Sequence, residues 1–366
     1  MADTRPFFSR VAELQRNGDR LALATVVRTH GSTPQVVGAR MVVVEAADDV
    51  AARAAGTLGG GCVEADAILA AREAIASGER SLRAYELTED LAWNTGLVCG
   101  GTMWILVERD RDALAAGERP MLEDLVRAAE GGPPVSIVTR LRKLGRQVEF
   151  AGRVFVEPGG HVSGTLGSDA LDEAARQAGV RQLEHGAPRI VPQDEVHDFL
   201  IEPVTGRPGL VIAGGGHVAR AIARQALLLD FDVTVIEDRP EFADPARFEG
   251  ARTLHGDMAA TLGSLDYGWS TFIVIATRGH KLDADCVLAA AGTPARYIGV
   301  LGSRRKTILI EEMLREAGVS EDRIAPIHAP VGLDLGGRTP AEIALAVLAE
   351  ITQIRYQGTG RPLRDR

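Results

Sequence analysis

The sequence is poor in cysteine, in aromatic residues and in long apolar runs. It has 3 cysteines among 366 residues, and 4% of its residues are aromatic. So few cysteines, in an odd number, exclude a disulfide-rich secreted scaffold and are typical of a reducing compartment. The polar N-terminus lacks the apolar core of a signal peptide, and no run of about twenty apolar residues predicts a membrane span. We therefore expect a cytoplasmic protein with no membrane span.

Acidic residues outnumber basic ones. The sequence has 41 Lys and Arg residues and 50 Asp and Glu residues, which gives a formal net charge of -9. This balance argues against a nucleic-acid partner, because such proteins normally present a basic surface. The spacings of common zinc sites and the nucleophile elbow of serine hydrolases are missing too. The length predicts two globular domains.

Two of the cysteines lie in glycine-rich turns of the N-terminal half. Glycine lets a bulky ligand approach the backbone closely. Cys62 also precedes residues 63–76, whose apolar positions recur at helical spacing, and a helix N-terminus favours the reactive thiolate form of a cysteine. The alternative is a small buried core residue, which is the interpretation we favour for Cys286. The site candidates in this half are Gly59, Gly60, Gly61, Cys62, Glu64, Cys99, Gly100 and Gly101.

A short internal repeat is indicated in the same half. The strand-like run that begins at Arg40, the Gly-Thr-Leu-Gly of 56–59 and a helix are followed by a second such series. That series comprises a run from Arg153, the Gly-Thr-Leu-Gly of 164–167 and a helical pattern over 170–178. The second copy has no cysteine, so the repeat predicts chemistry in the first copy alone.

The C-terminal half reads as a Rossmann-like domain. A buried strand at 210–213 leads into the turn 214–219, which has the Gly-x-Gly-x-x-Ala spacing of dinucleotide-binding folds, and then into a helix. Buried strands and helices alternate from there to a last helix over 340–356. The predicted fold class is α/β: a doubly wound parallel sheet over 210–366, joined by a linker at 203–209 to a mixed α/β domain over 1–202.

This turn is suited to a phosphate, because free backbone N–H groups at a helix start attract anions. The acidic residues that end the next strand are candidates for ribose hydroxyls, so NAD(P) is one expected ligand and another phosphate-bearing ligand is the other. The remaining candidates follow later strands of the same sheet. The site candidates in this half are Gly214, Gly216, His217, Glu237, Asp238, His280, Gly302, Ser303 and Arg304.

Taken together, these motifs resemble the XdhC/CoxI family, the accessory proteins of xanthine dehydrogenase and related molybdenum hydroxylases. The matching stretches span about residues 10–355. They are Thr33-Pro34, Gly59 to Glu64, Cys99-Gly100-Gly101, Ala213 to Ala219, Glu237 to Ala243, Tyr297 to Lys306 and Gly332 to Gly336. One departure is the single cysteine at 99, where some family members carry two adjacent cysteines, and this puts a dithiol mechanism in that loop in doubt.

The resemblance implies a molybdenum-cofactor chaperone rather than a stand-alone enzyme. Family members bind molybdenum cofactor, a pterin dithiolene with a phosphate, assist its terminal sulfuration by a cysteine desulfurase, and help insert it into an apo-hydroxylase. The hydroxylase is of the xanthine, aldehyde or carbon monoxide dehydrogenase type. Cys62 maps onto the family's cofactor-pocket cysteine, so it is also the candidate molybdenum contact. A homodimer is expected.

Two alternatives from other classes stay open at this point. One is an NAD(P)-dependent oxidoreductase that uses the Rossmann turn catalytically. The other is a sulfur-transfer protein that carries a persulfide on Cys62.

Overall fold

The structure is a computed structural model that describes residues 4–45, 54–87, 100–183, 186–295, 297–325 and 327–365. The chain divides into two compact units, residues 1–205 and 206–366. The domain limits given above stay a prediction. Within the described ranges, no helix combines the length and the apolarity that crossing a bilayer requires.

The first sheet of the N-terminal unit is antiparallel and carries the helix that begins beside Cys62. Its spatial order is β3-β2-β1-β5-β4. The elements of this part are α1 (Thr4–Arg16), β1 (Leu21–His30), β2 (Arg40–Val44), β3 (Ala54–Gly56), α2 (Gly61–Ser77), β4 (Ser81–Glu86) and β5 (Thr102–Arg109). Helix α2 buries the alanine-rich face that its apolar spacing predicts. The predicted helix is therefore confirmed.

A second antiparallel sheet completes this unit, in the order β10-β9-β8-β12-β11. A short connection leads to it: α3 (Asp110–Ala113), β6 (Ala115–Ala116), β7 (Arg119–Pro120) and α4 (Leu122–Ala129). Its own elements are β8 (Val135–Leu144), β9 (Gln147–Val156), β10 (Val162–Ser163), α5 (Asp169–Leu183), β11 (Arg189–Pro192) and β12 (His197–Val204).

The two sheets are copies of one another, which confirms the predicted internal repeat. The strands β1 to β5 of the first sheet correspond in order to β8 to β12 of the second, and the spatial order of the strands is the same in both. Helix α2 follows the third strand of its copy, and α5 follows the third strand of the other. Arg40 pairs with Thr25 in the ladder of the first copy, and Arg153 pairs with Thr139 in that of the second. The two arginines are therefore equivalent positions.

Buried ion pairs cross from one copy to the other. Arg40 contacts Glu202 of the second copy at 2.9 Å, and Arg153 contacts Glu108 of the first copy at 2.6 Å. Glu108 lies opposite Leu23, two residues before Thr25, and Glu202 lies opposite Ile137, two residues before Thr139. Each copy thus supplies the acid for the other copy's arginine.

The C-terminal unit has a six-stranded parallel sheet in the order β15-β14-β13-β16-β17-β18, as the Rossmann prediction requires. Its strands are β13 (Gly209–Ala213), β14 (Asp232–Glu237), β15 (Arg252–His255), β16 (Thr271–Ile275), β17 (Tyr297–Val300) and β18 (Ile327–His328). Its helices are α6 (His217–Leu228), α7 (Met258–Ser264), α8 (His280–Ala291), α9 (Arg304–Glu316), α10 (Glu321–Ile324) and α11 (Pro340–Tyr356), with 3-10 turns at Pro245–Arg247 and Leu363–Asp365.

Local signals account for the start of the last helix. Thr339 and Glu342 form a capping box, and Pro340 occupies the first turn, where its missing N–H costs nothing. Helix α11 therefore spans the predicted residues. Cys286 is 1% exposed in the core, which confirms its predicted role in packing.

Candidate functional site

Three loops meet at one edge of the first sheet, and glycine is what lets them meet. A Cβ on Gly101 would lie 2.4 Å from the carbonyl oxygen of Ser32, and a Cβ on Gly59 would lie 2.8 Å from Pro34. The loops formed by residues 31–34, 59–61 and 100–101 are therefore in close contact. Cys99 lies outside the described residues.

Cys62 stands where a turn of three glycines becomes helix α2. Gly59, Gly60 and Gly61 have φ angles of 105°, 81° and 67°, a left-handed region that side chains rarely adopt. Cys62 is the second residue of the helix and is exposed. A Cβ on Gly60 would meet nothing within 4 Å, so the approach to this turn is open. The first-turn N–H groups of a helix have no acceptor within it, so the thiol lies beside free donors.

Glu64 holds this turn in shape. Its Oε1 accepts hydrogen bonds from Thr57 Oγ1 at 2.6 Å, from the Leu58 N–H at 2.8 Å and from the Gly60 N–H at 2.9 Å. Partial burial alone would raise the pKa of Glu64, but these bonds outweigh it and leave the pKa below its ordinary value. Glu64 is therefore ionised at neutral pH and serves as an anchor for the loop.

One helical turn beyond the thiol, the surface of α2 carries a charge network. Asp66 lies four residues after Cys62, on the same helix face. It accepts a hydrogen bond from Tyr85 at 2.6 Å and pairs with Arg83 at 3.3 Å. Arg83 also pairs with Glu73 at 2.6 Å, so this network holds two carboxylates and one guanidinium.

In the C-terminal unit, the three glycines of the turn after β13 have different roles. A Cβ on Gly214 would lie 2.3 Å from the Ala276 carbonyl oxygen, and a Cβ on Gly215 would lie 2.5 Å from that of Phe242. A Cβ on Gly216 would meet nothing within 4 Å. The first two glycines therefore allow close backbone packing, and the third leaves open space at the start of α6.

Glu237, the last residue of β14, and Asp238, the next residue, are both engaged by arginines. Glu237 is 2% exposed; it accepts the Gly215 N–H at 2.7 Å and two bonds from Arg239 at 2.9 and 3.0 Å. Burial alone would raise the pKa of Glu237, but Arg239 and the backbone donors lower it to about 2. Asp238 forms a two-pronged pair with Arg278 at 2.8 and 2.9 Å.

The other candidates of this unit lie at the same edge of the sheet. His217, the first residue of α6, is exposed, and His280 is the first residue of α8. Gly302 and Ser303 are exposed and lead into Arg304, the first residue of α9. They follow β17, two strands from β13, so they lie about 10 Å along the edge from the glycine turn.

Sequence reasoning missed three residues that shape these sites. Thr57 anchors the loop to Glu64, and Arg239 and Arg278 engage the acids at the end of β14. The sequence offers only weak signals for these residues. Thr57 belongs to the repeated Gly-Thr-Leu-Gly motif, and Arg239 lies two residues after its partner Glu237. Asp238, the partner of Arg278, is 40 positions away from it.

A cavity of about 780 Å³ in the N-terminal unit lies away from the thiol. It is lined by Ile75, thirteen residues further along α2 than Cys62 and hence about 20 Å away. Two arginines that line it, Arg20 and Arg109, are paired with acids. In the part of the chain that the structure describes, no group of three or more His, Cys, Asp or Glu residues is arranged to hold a metal ion.

Two family models match the chain. The model described as the XdhC Rossmann domain matches residues 210–351, and the model described as the XdhC and CoxI family matches residues 14–86. Together they cover more than half of the sequence and both units.

Curated relatives agree with these models. YqeB of Escherichia coli (strain K12), described as uncharacterized, is 32% identical over 243 residues, 62% of this chain; the chain spans 44% of YqeB. A relative from Bacillus subtilis (strain 168), described as a probable xanthine dehydrogenase component, is 26% identical over 95% of this chain and 97% of its own. The molybdenum cofactor insertion chaperone PaoD of Escherichia coli (strain K12) is 25% identical over 96% of this chain and 89% of PaoD.

A solved structure with the same fold is described as a xanthine dehydrogenase from Bacillus halodurans. The match covers 100% of this chain and 98% of that one, with a TM-score of 0.63 and 21% identity. At that identity the likeness shows the fold alone.

Proposed function

Since the chain belongs to the XdhC and CoxI family, we propose that it is an accessory protein that binds molybdenum cofactor and delivers it to a molybdenum hydroxylase. The observation that carries the proposal is the exposed Cys62 thiol at the end of a three-glycine turn that opens a helix. The relative PaoD, which aligns over nearly the whole chain, is a molybdenum cofactor insertion chaperone.

The residues around Cys62 fit such a ligand. When bound, the cofactor supplies a molybdenum centre held by a dithiolene, together with a phosphate on the pterin. A thiolate is a soft ligand of the kind that favours sulfur-bound metals. The free N–H groups at the start of α2 suit an anion, and the open face of Gly60 leaves room for a bulky group.

Each part of the turn then has a task. Cys62 would contact the molybdenum side of the cofactor, and the backbone of Gly60 and Gly61 could lie close to it because neither residue has a side chain. Asp66 is paired with Arg83, which reduces the repulsion between its carboxylate and an anionic ligand. Bound to this chain, the cofactor would be available to a cysteine desulfurase as the source of its terminal sulfur and to the hydroxylase as its recipient.

The Rossmann turn is proposed to hold a phosphate rather than a ribose diol. The ribose of NAD is normally bound by a free carboxylate after the second strand, but the carboxylates of Glu237 and Asp238 are engaged by Arg239 and Arg278. Gly216 and the start of α6 remain open for an anion. This arrangement favours a phosphate group at the turn over the ribose diol of NAD. The desulfurase partner, the homodimer and the cytoplasmic location stay predictions.

The test uses the internal repeat as its control. The offset that relates Thr57 to Thr165 also relates Cys62 to Ala170, so Ala170 is the equivalent position in the second copy. We expect Cys62→Ser to lose most of the pterin that co-purifies from a cofactor-producing host, measured by fluorescence after oxidation. Adding Ala170→Cys to that variant should not restore it, because the second copy lacks the three-glycine turn. Equal pterin in wild type and Cys62→Ser would contradict the proposal.

A further inference from the structure

In both copies of the repeat, a hydrogen bond between a threonine and an acid seven residues later holds the loop; we call this pair the lock of each copy. In the first copy Thr57 donates to Glu64 at 2.6 Å, and in the second Thr165 donates to Asp172 at 2.8 Å. In both, the threonine oxygen also accepts the N–H two residues later, at 3.1 and 3.0 Å. The shared lock therefore serves the fold of each copy.

The copies differ in how far the acid reaches. Asp172 accepts from Thr165 and from the Leu166 N–H at 2.6 Å. Glu64, which is longer by one methylene, accepts the equivalent two bonds and also the Gly60 N–H at 2.9 Å. In the described part of the chain, the Ser168 N–H, which corresponds to that of Gly60, makes no such bond to Asp172.

The helix starts differ as well. Ser168 Oγ accepts the Leu171 N–H at 3.4 Å and so caps α5 with its own side chain. Gly60 has no side chain, and α2 has no side-chain cap. The first copy therefore has no side chain over its helix N-terminus, and its turn is held by Glu64.

From these differences we propose that Glu64 is a positioning residue whose third hydrogen bond, to the Gly60 N–H, sets the turn that presents Cys62. Reach is the decisive property of the side chain: an acceptor of glutamate length is required, and its charge is secondary. The inference rests on the proposed function in so far as the thiol it presents is the one that meets the cofactor.

Two substitutions separate reach from charge. Glu64→Asp keeps the charge and should keep the bonds to Thr57 and Leu58, as Asp172 does, but it loses Gly60. Glu64→Gln keeps the length and an acceptor oxygen, and loses the charge. We expect hydrogen exchange of the Gly60 amide, read at single-residue resolution by mass spectrometry, to become roughly tenfold faster in Glu64→Asp, as expected for losing a bond to an ionised acceptor. Exchange in Glu64→Gln should stay nearer to wild type, and the rate at which iodoacetamide alkylates the exposed Cys62 should follow the same order, with a larger change in Glu64→Asp than in Glu64→Gln.

The matched control is Asp172→Asn, which alters the lock of the copy without a cysteine. It should leave exchange at Gly60 unchanged. The thermal midpoint of each variant checks that the fold is intact, and exchange at the buried residues of β1 serves the same purpose within one experiment.

Two results would overturn the inference. One is exchange at Gly60 in Glu64→Asp that equals wild type. The other is a larger effect in Glu64→Gln than in Glu64→Asp, which would make the charge decisive. Because exchange is measured without cofactor, a failure of the proposed function is seen separately, as pterin retention that does not depend on Cys62.

Discussion

Replacing Glu202 by alanine is expected to destabilise the N-terminal unit strongly, because it leaves the Arg40 guanidinium buried without its counter-charge. Arg40 is 7% exposed and Glu202 is 3% exposed. Burial lowers the pKa of Arg40 and raises that of Glu202, since removal from water disfavours both charged forms. Their contact at 2.9 Å is close, but Oε1 of Glu202 has no aligned hydrogen-bond donor.

The magnitude follows from this burial. Removing one partner of a buried pair costs about 3–5 kcal/mol, whereas replacing both by apolar residues is often neutral or stabilising. For a unit of this size each kcal/mol shifts the thermal midpoint by about 2–4 °C. Glu202→Ala should therefore lower it by about 6–20 °C. Adding Arg40→Met to that variant should recover most of the loss, since the buried guanidinium is then gone.

Differential scanning calorimetry of the full chain measures these midpoints, and the equivalent pair provides the comparison. Glu108→Ala should also lower the midpoint, but by less than Glu202→Ala, because Arg153 keeps its hydrogen bonds to Thr139 and to the Ala113 carbonyl. A midpoint within about 2 °C of wild type for Glu202→Ala, or a double variant as unstable as the single one, would contradict this prediction.

Three further outcomes are expected. Because the folded-state pKa of Glu237 is lowered to about 2, its contribution to stability is present above the ordinary carboxyl pKa of 4.5 and is lost as pH falls toward 2. Urea titrations should therefore show Glu237→Gln less stable than wild type at pH 7 and equally stable near pH 2. A difference in unfolding free energy that does not narrow on acidification would contradict this. Gly214→Ala should lower the free energy of unfolding by about 1–3 kcal/mol or more, because its Cβ would meet the Ala276 carbonyl at 2.3 Å. Gly216→Val should change stability less and should block the binding of a phosphate-bearing ligand in calorimetric titration. Equal destabilisation by the two variants would show that the turn is packed throughout. Burial raises the pKa of Cys286 to about 12, so iodoacetamide at pH 8 should label Cys62 well before Cys286 in the native protein, and labelling at similar rates would place Cys286 outside the core.

Much of the fold could be predicted from local pattern. The alanine spacing after Cys62 identifies the buried face of α2, and the capping box with Pro340 sets the start of α11. The parallel sheet follows from buried strands that alternate with helices, and its topology brings the predicted C-terminal candidates to one edge.

The partners of the charged residues could not be predicted in the same way. Arg40 and Glu202 are 162 positions apart, so nothing local in the sequence pairs them. The only related signal is that an arginine recurs at the start of both repeated strand-like runs, which indicates that Arg40 and Arg153 are equivalent. The sequence identified Glu64 and Glu237 as site residues, but not that their oxygens accept bonds from the loops beside them. Side-chain direction within a loop depends on tertiary contacts that periodicity does not carry.

Identifying the small molecule bound to the purified protein shows whether this chain carries molybdenum cofactor at Cys62. Protein purified from a cofactor-producing host is examined by native mass spectrometry, and the released ligand is then identified by its fragment masses. We expect a pterin dithiolene on the wild-type protein and its loss in Cys62→Ser, with the fold of both verified by their thermal midpoints. A wild-type protein that carries NAD(P) and no pterin, or that keeps its pterin without the thiol, would contradict this expectation.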